Sequence, residues 1–264
     1  MYEFNYQAPS SLADASKAIA AAEDGKLLAG GMTLVPTLKQ RLARPSDLID
    51  LGKIADLKHI KVDAGTVTIG AMATHATVGA DAAVKKAIPG LAWLASNIGD
   101  PAVRHRGTLG GSISNNDPAA DYPAALMALG ATITTTKRQL SAADFFVGMF
   151  ETALELDEIV TAVSFPIPEK SAYQKFRNPA SRYAVVGVFV AKTGGGVRVA
   201  VTGAGPSVFR VPAFEAALDK SFAASALDGL MIDAGELNAD IHASAEYRAH
   251  LVTVFAKRAV AEIS

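Results

Sequence analysis

Two short stretches carry residue types that can hold a charged cofactor. LLAGGMT, residues 27–33, is an apolar run, a Gly-Gly pair and a Thr. RGTLGGS, residues 106–112, is Gly-Thr, one apolar residue, Gly-Gly and Ser. Glycine permits positive φ and lets a ligand approach the backbone, so successive N–H groups can converge on one anion. A helix N-terminus adds free N–H groups and a partial positive charge. The hydroxyls of Thr33, Thr108 and Ser112 offer donors without charge. Either loop alone is also readable as a tight turn. Two loops of one design, both read as following strands, supply the donors a diphosphate needs. Neither matches GxxxxGK(S/T), and no GxGxxG opens a helix after a strand, so a P-loop or Rossmann reading is poor.

Other chemistry has little to stand on. The chain has no Cys, which excludes a thiolate nucleophile, a disulfide framework, Cys-ligated zinc and a resident iron–sulfur cluster. His59, His75, His105, His242 and His250 are scattered, with none paired at i,i+4, so no metal site is expected. No catalytic residue is singled out.

The elements around the glycine loops follow from periodicity. Residues 10–25 read as a helix with a Ser cap, with Leu12, Ala15, Ile19 and Ala22 on one face and Gly25 as its stop. KLLAGG is a short buried strand, Thr33 an N-cap with Pro36 in the first helical turn, and DLIDL another strand. HIKVDAGTVTIGA alternates about Asp63-Ala64-Gly65 as a hairpin. ATVGADAAVKKAI and residues 89–95 read as helices, and DYPAALMALGA as a helix ended by Gly130. ATITTTK is a strand, and a further one closes at Pro166 and Pro168, which marks a domain boundary. Beyond it, Val186, Val188 and Val190 alternate on one side of a GGG turn, and Val197, Val199 and Val201 on the other. A final amphipathic helix carries Tyr247, Leu251, Val254, Phe255 and Ala259 as its stripe.

At 264 residues the chain can bury a sizeable core. Lys plus Arg is 25 and Asp plus Glu is 26, so no net field draws in nucleic acid or an anionic membrane. No run of 18 apolar residues and no signal-like start occurs, so neither a membrane span nor a signal peptide is expected and the chain reads as cytoplasmic.

KLLAGGMTLVPTLKQRLARPSDLIDL followed by GDPAVRHRGTLGGSISNNDPAADYPAALMALGA resembles the FAD-binding medium subunit of the molybdenum hydroxylases. That family spans carbon monoxide dehydrogenase-type enzymes and the flavin domain of xanthine dehydrogenase, and the similarity runs through YQKF, SRYAVVGV and EYRAHLVTVFAKRAV. The resemblance implies an α+β chain. Residues 1–167 would form a PCMH-type FAD-binding domain of two α/β subdomains, about 1–55 and 56–167. Residues 168–264 would form a small α+β domain with an antiparallel sheet and helices.

It also implies an FAD diphosphate lying across Ala29, Gly30, Gly31, Met32 and Thr33 and across Thr108, Leu109, Gly110, Gly111 and Ser112. Asp121 matches a carboxylate at the adenosine end, with a helix cap as its other reading. Val160 matches a residue whose backbone contacts the cofactor. Lys175 matches a cation near the flavin end, against a solvated strand lysine. Tyr183 resembles an aromatic covering one flavin face, against plain core packing. Where relatives read AGGTD or AGGHS, this chain has Met32, which has only its backbone N–H or its packing to offer.

The function so implied is electron transfer. FAD here would take electrons from [2Fe-2S] clusters on a small partner and pass them to an external acceptor. Substrate would be oxidised at a molybdopterin cofactor on a large partner, within a dimer of heterotrimers. The competing readings are a self-sufficient FAD-dependent oxidoreductase of the same fold and a flavin-free assembly module.

Overall fold

The computed structural model describes all 264 residues. The first lobe contains β1 (Asn5–Gln7), α1 (Leu12–Ala21), β2 (Gly25–Leu28), α2 (Leu34–Lys39) and β3 (Asp47–Asp50). Its three strands are parallel in the order β1-β3-β2. The Ser11 hydroxyl accepts from the Asp14 N–H at 3.1 Å and so caps α1. Gly25 is not the helix stop: α1 ends at Ala21, and Gly25 opens β2, where a Cβ would meet Ile19 and Ala22 at 2.7 and 2.8 Å. β1 has too little apolar pattern to be read from sequence. β2 is half-buried rather than buried, because Lys26 and Leu27 form part of a cavity wall.

The second lobe opens with the hairpin β4 (Ile60–Asp63) and β5 (Thr66–Gly70). Six helices follow: α3 (His75–Ala80), α4 (Ala82–Ala87), α5 (Pro89–Ser96), α6 (Pro101–Arg106), α7 (Leu109–Asn115) and α8 (Tyr122–Leu129). Then come β6 (Thr132–Thr135), β7 (Gln139–Ser141), α9 (Ala142–Phe145), β8 (Phe146–Gly148), β9 (Glu151–Thr152) and β10 (Val160–Pro166). The main sheet is antiparallel throughout, in the order β4-β5-β10-β6-β7. The helix read over ATVGADAAVKKAI is two, because the Asp81 carboxylate accepts from the Ala83 and Val84 N–H groups at 2.9 Å and starts α4 anew. α8 is apolar all round and is buried accordingly.

The second glycine stretch is not a loop. Thr108 caps α7, its hydroxyl accepting from the Gly111 N–H at 3.1 Å, and Gly110 and Gly111 lie in the first helical turn. The segment before it is α6, a helix rather than a strand.

The third part is the antiparallel meander β11 (Lys170–Arg177), β12 (Ala184–Thr193), β13 (Gly196–Thr202) and β14 (Phe209–Arg210), with α10 (Pro212–Lys220) and α11 (Ala245–Ile263). The valines of β12 and β13 pack with Leu251, Val252 and Phe255 of α11. Phe189, Ala191 and Ala200 on the opposite face join the core of the second lobe. One face of this sheet is therefore fixed to the second lobe. The buried stripe of α11 runs through Arg248, Val252, Phe255 and Ala259, while Tyr247 is exposed. Arg248 is tolerated inside because its guanidinium donates to the Val185 and Gly203 carbonyls at 2.7 and 3.0 Å and pairs with Asp240 at 2.7 Å.

Candidate functional site

A cavity of about 450 Å³ lies where the three parts meet. The first lobe contributes Ala29, Gly30, Gly31, Met32 and Thr33, and the second contributes Thr108, Gly110, Gly111, Ser112, Asp121 and Val160. The third part contributes Tyr183, which is half-exposed. Leu109 and Lys175, both expected at the cofactor, are not in the wall. Leu109 is fully buried in the core, its N–H bonded to the Ala73 carbonyl.

The two glycine pairs do different work. From Gly30 to Leu34, five consecutive N–H groups have no acceptor within the chain. Gly31 is in the left-handed region at φ +75, which turns the chain from β2 into α2. Thr33 occupies the N-cap position without a side-chain cap bond, so its hydroxyl and the Leu34 N–H that opens α2 stay free, while the Val35 N–H is taken by the Gly31 carbonyl at 3.1 Å. Five unpartnered donors beside a helix start form an anion site. At α7, by contrast, the Gly110 N–H bonds the Ala71 carbonyl at 2.8 Å and the Gly111 N–H bonds Thr108. Gly110 is required by packing, since a Cβ there would lie 2.6 Å from Ala71 Cβ. What this segment offers a ligand is the open backbone at Gly111, whose Cβ position faces Ala29 across 3.3 Å, and the hydroxyls of Ser112 and Thr108.

Asp121 precedes α8 but does not cap it. Its carboxylate turns to β11, accepting from the Tyr173 hydroxyl at 2.6 Å and from Lys175 Nζ at 2.9 and 3.0 Å. Burial pushes its pKa up, while Lys175 and Tyr173 pull against that. Lys175 is thus neither solvated nor facing the cavity; its ammonium is held by Asp121 and by the Asn97 carbonyl at 3.1 Å. Tyr183 is 46% exposed, which sets aside core packing.

Two wall residues escaped the sequence reading. His75 is buried against Tyr122 with ring centroids 5.4 Å apart, and burial, helped by Arg104, lowers its pKa to about 4, so it is neutral. Glu158 accepts from Thr135 Oγ1 at 2.6 Å, Arg138 Nε and Nη2 at 3.0 and 2.9 Å, and the Glu155 N–H at 3.0 Å. Arg138 and these other donors hold its pKa down at about 2. An Asp-Glu-Ile-Val run offers no signal that one carboxylate is buried, because its partners lie some twenty residues away.

Glu158→Gln is expected to destabilise the fold by about 2–3 kcal/mol, as a buried charge-assisted acceptor set is broken. A folded-state pKa below the unfolded one gives stability that is full above the ordinary value of 4.5 and lost as pH falls toward about 2. Urea unfolding across that range should show a shallower acid loss in the variant. An unchanged acid slope would reject the assignment.

The cavity chemistry fits FAD. The unpartnered N–H run matches a diphosphate, Leu27, Leu51, Met72 and Ile159 give apolar walls for the rings, and Lys26 and Arg182 are the cations of the wall. A fold that clamps such a site between a small parallel-sheet lobe and an antiparallel-sheet lobe defines a nucleotide-cofactor protein of the flavin-binding class. Residues 2–168 match the family described as the FAD binding domain in molybdopterin dehydrogenase, and residues 171–263 match the CO dehydrogenase flavoprotein C-terminal domain. The chain belongs to the FAD-binding medium subunits of the molybdenum hydroxylases, flavoprotein components of multi-subunit oxidoreductases.

The nicotine 6-hydroxylase medium subunit of Paenarthrobacter nicotinovorans is 36% identical, over 97% of this chain and 96% of that one. The carbon monoxide dehydrogenase medium chain of Afipia carboxidovorans is 34% identical, over 97% and 95%. Among solved structures, quinoline 2-oxidoreductase from Pseudomonas putida 86 superposes with a TM-score of 0.88 at 32% identity, covering 98% of this chain and 96% of that one. No helix is long and apolar enough to cross a membrane.

Proposed function

We propose that this chain is the FAD-carrying electron-transfer subunit of a molybdenum-containing hydroxylase or dehydrogenase. Electrons reach it from [2Fe-2S] clusters on a small partner and leave to an external acceptor. Substrate is oxidised at a molybdopterin cofactor on a large partner, and the assembly is a cytoplasmic dimer of heterotrimers. Residues 1–167, in lobes of about 1–55 and 56–167, hold the cofactor, and residues 168–264 close the site.

The observation that carries this reading is the run of five unpartnered N–H groups from Gly30 to Leu34 in the cavity wall. FAD, when bound, supplies electron exchange, and the chain supplies binding, orientation and electrostatics. Gly30 to Leu34 would take the diphosphate, with Gly111 and Ser112 opposite; Asp121, Val160 and Tyr183 would contact the rest of the cofactor.

The wall holds a single histidine, the buried His75, and the chain has no Cys, so attachment is non-covalent. Acid precipitation should release all the yellow colour into the supernatant. The complex stripped of flavin should still oxidise substrate and reduce its clusters, while reduction of the acceptor fails. Stopped-flow absorbance follows both. Loss of cluster reduction on flavin removal would place FAD upstream and reject the relay, as would substrate turnover by this chain alone.

A further inference from the structure

We propose that Tyr173 is a positioning residue for the cofactor, acting through Asp121 from the C-terminal sheet. Tyr173 lies in the middle of β11 and is 1% exposed, its ring set between Trp93 and Phe189 at centroid distances of 6.0 and 6.1 Å. Its hydroxyl sits on the backbone of Gly187 on the neighbouring strand, in a slot that any Cβ at that position would fill. From there it donates to Asp121 Oδ1 at 2.6 Å. The packing of a domain outside the two cofactor lobes thus sets the orientation of a carboxylate in the cofactor cavity.

An ionised carboxylate has about four acceptor positions. Tyr173 takes one on Oδ1 and Lys175 one on Oδ2 from the β11 side, with the Lys175 ammonium also 2.9 Å from Oδ1. Asp121 also lines the cavity, and an acceptor position left over there would suit a hydroxyl or N–H donor of the cofactor. This rests on the proposal that Asp121 contacts FAD. An acceptor is useful to such a donor only while ionised and held still, and Tyr173 does both: it stabilises the charged form and fixes one oxygen.

The charged and titratable groups around Asp121 are Lys175, Arg177 and Tyr173 of β11, Tyr122 beside it on α8, and Tyr183 and Asp117 of the cavity wall. Burial already raises the Asp121 pKa, and Tyr173 is among the groups opposing the rise. Loss of the phenol hydroxyl therefore leaves a carboxyl that takes up a proton at higher pH. The ring, its neighbours and the fold remain.

The test is FAD affinity of the full-length apoprotein, by flavin fluorescence titration from about pH 8 to pH 5, a span chosen for a raised carboxyl. Tyr173→Phe is expected to bind FAD about 5–20-fold more weakly near the acid end, as expected for one charge-assisted hydrogen bond. The deficit should shrink toward the alkaline end. Emission from Trp93, the chain's single tryptophan, should be unchanged before FAD is added. Gly187→Ala, whose methyl displaces the hydroxyl, should shift the profile in the same direction. Asp121→Asn should weaken binding with a flat profile. If Tyr173→Phe and wild type have the same pH profile while Asp121→Asn weakens binding, the positioning role is overturned. If Asp121→Asn binds FAD as tightly as wild type, the contact of Asp121 with the cofactor is overturned and the role of Tyr173 with it.

Discussion

Gly30→Ala is expected to lower FAD affinity by on the order of 100-fold. The added Cβ would collide with the Arg106 carbonyl oxygen and lie 2.7 Å from its carbon and 2.8 Å from Gly107 Cα. All three are main-chain atoms at the junction of α6 and α7, so no side-chain rotation relieves the clash. The first glycine loop must move away from the second lobe, and the N–H run from Gly30 to Leu34 moves with it. Loss of about two charge-assisted hydrogen bonds to a diphosphate, at roughly 1.5 kcal/mol each, amounts to that factor. Overpacking should also destabilise the apoprotein by about 1–3 kcal/mol. Gly110→Ala is the control, because its Cβ meets Ala71 in the core and its N–H is already bonded there. That variant should lose stability first and affinity second. Calorimetric titration with FAD and urea unfolding separate the two effects, and a Gly30→Ala protein with wild-type affinity would remove the first loop from the diphosphate site.

Lys175→Ala is expected to destabilise the chain by about 3–5 kcal/mol at neutral pH, since it leaves the buried Asp121 carboxylate without its cation. The Lys175 side chain is 0% exposed and that of Asp121 4%, so solvent screening does not rescue it. The pH dependence has a fixed sign. With the cation gone, the folded-state pKa of Asp121 rises further above its unfolded value, so the deficit is full above that raised pKa. It shrinks as pH falls through it and the carboxyl becomes neutral. Pairing Lys175→Met with Asp121→Asn removes both charges and should restore most of the loss. Urea unfolding at two pH values checks this. A deficit that grows with acidity would mean that Asp121 is not the group left unpaired.

The helices and hairpins were legible wherever a local pattern suffices. Ser11 with Asp14 starts α1, the valines of β12 and β13 alternate about the GGG turn, and Gly130 at φ +64 ends α8. Each depends on residues within a few positions of one another, which is the range over which capping and periodicity act. The first glycine loop belongs with these, because a strand, two glycines and a helix start place free N–H groups together by local geometry alone.

Hydrogen-bond satisfaction, in contrast, was decided by the tertiary structure. The Gly110 N–H is lost to a ligand because Ala71, at the end of a distant strand, takes it. Lys175 and Asp121, 54 positions apart, face each other only when β11 packs against the start of α8. The stripe of α11 shifted to Arg248 because two carbonyls and Asp240 were waiting inside. Sequence alone determined the class of protein and the loop that can take a diphosphate, since those reside in short contiguous stretches. Which donors are free, which charges are paired and which side chains reach the cavity depended on partners far along the chain, because burial makes a polar group seek whatever acceptor or counter-charge the fold brings beside it.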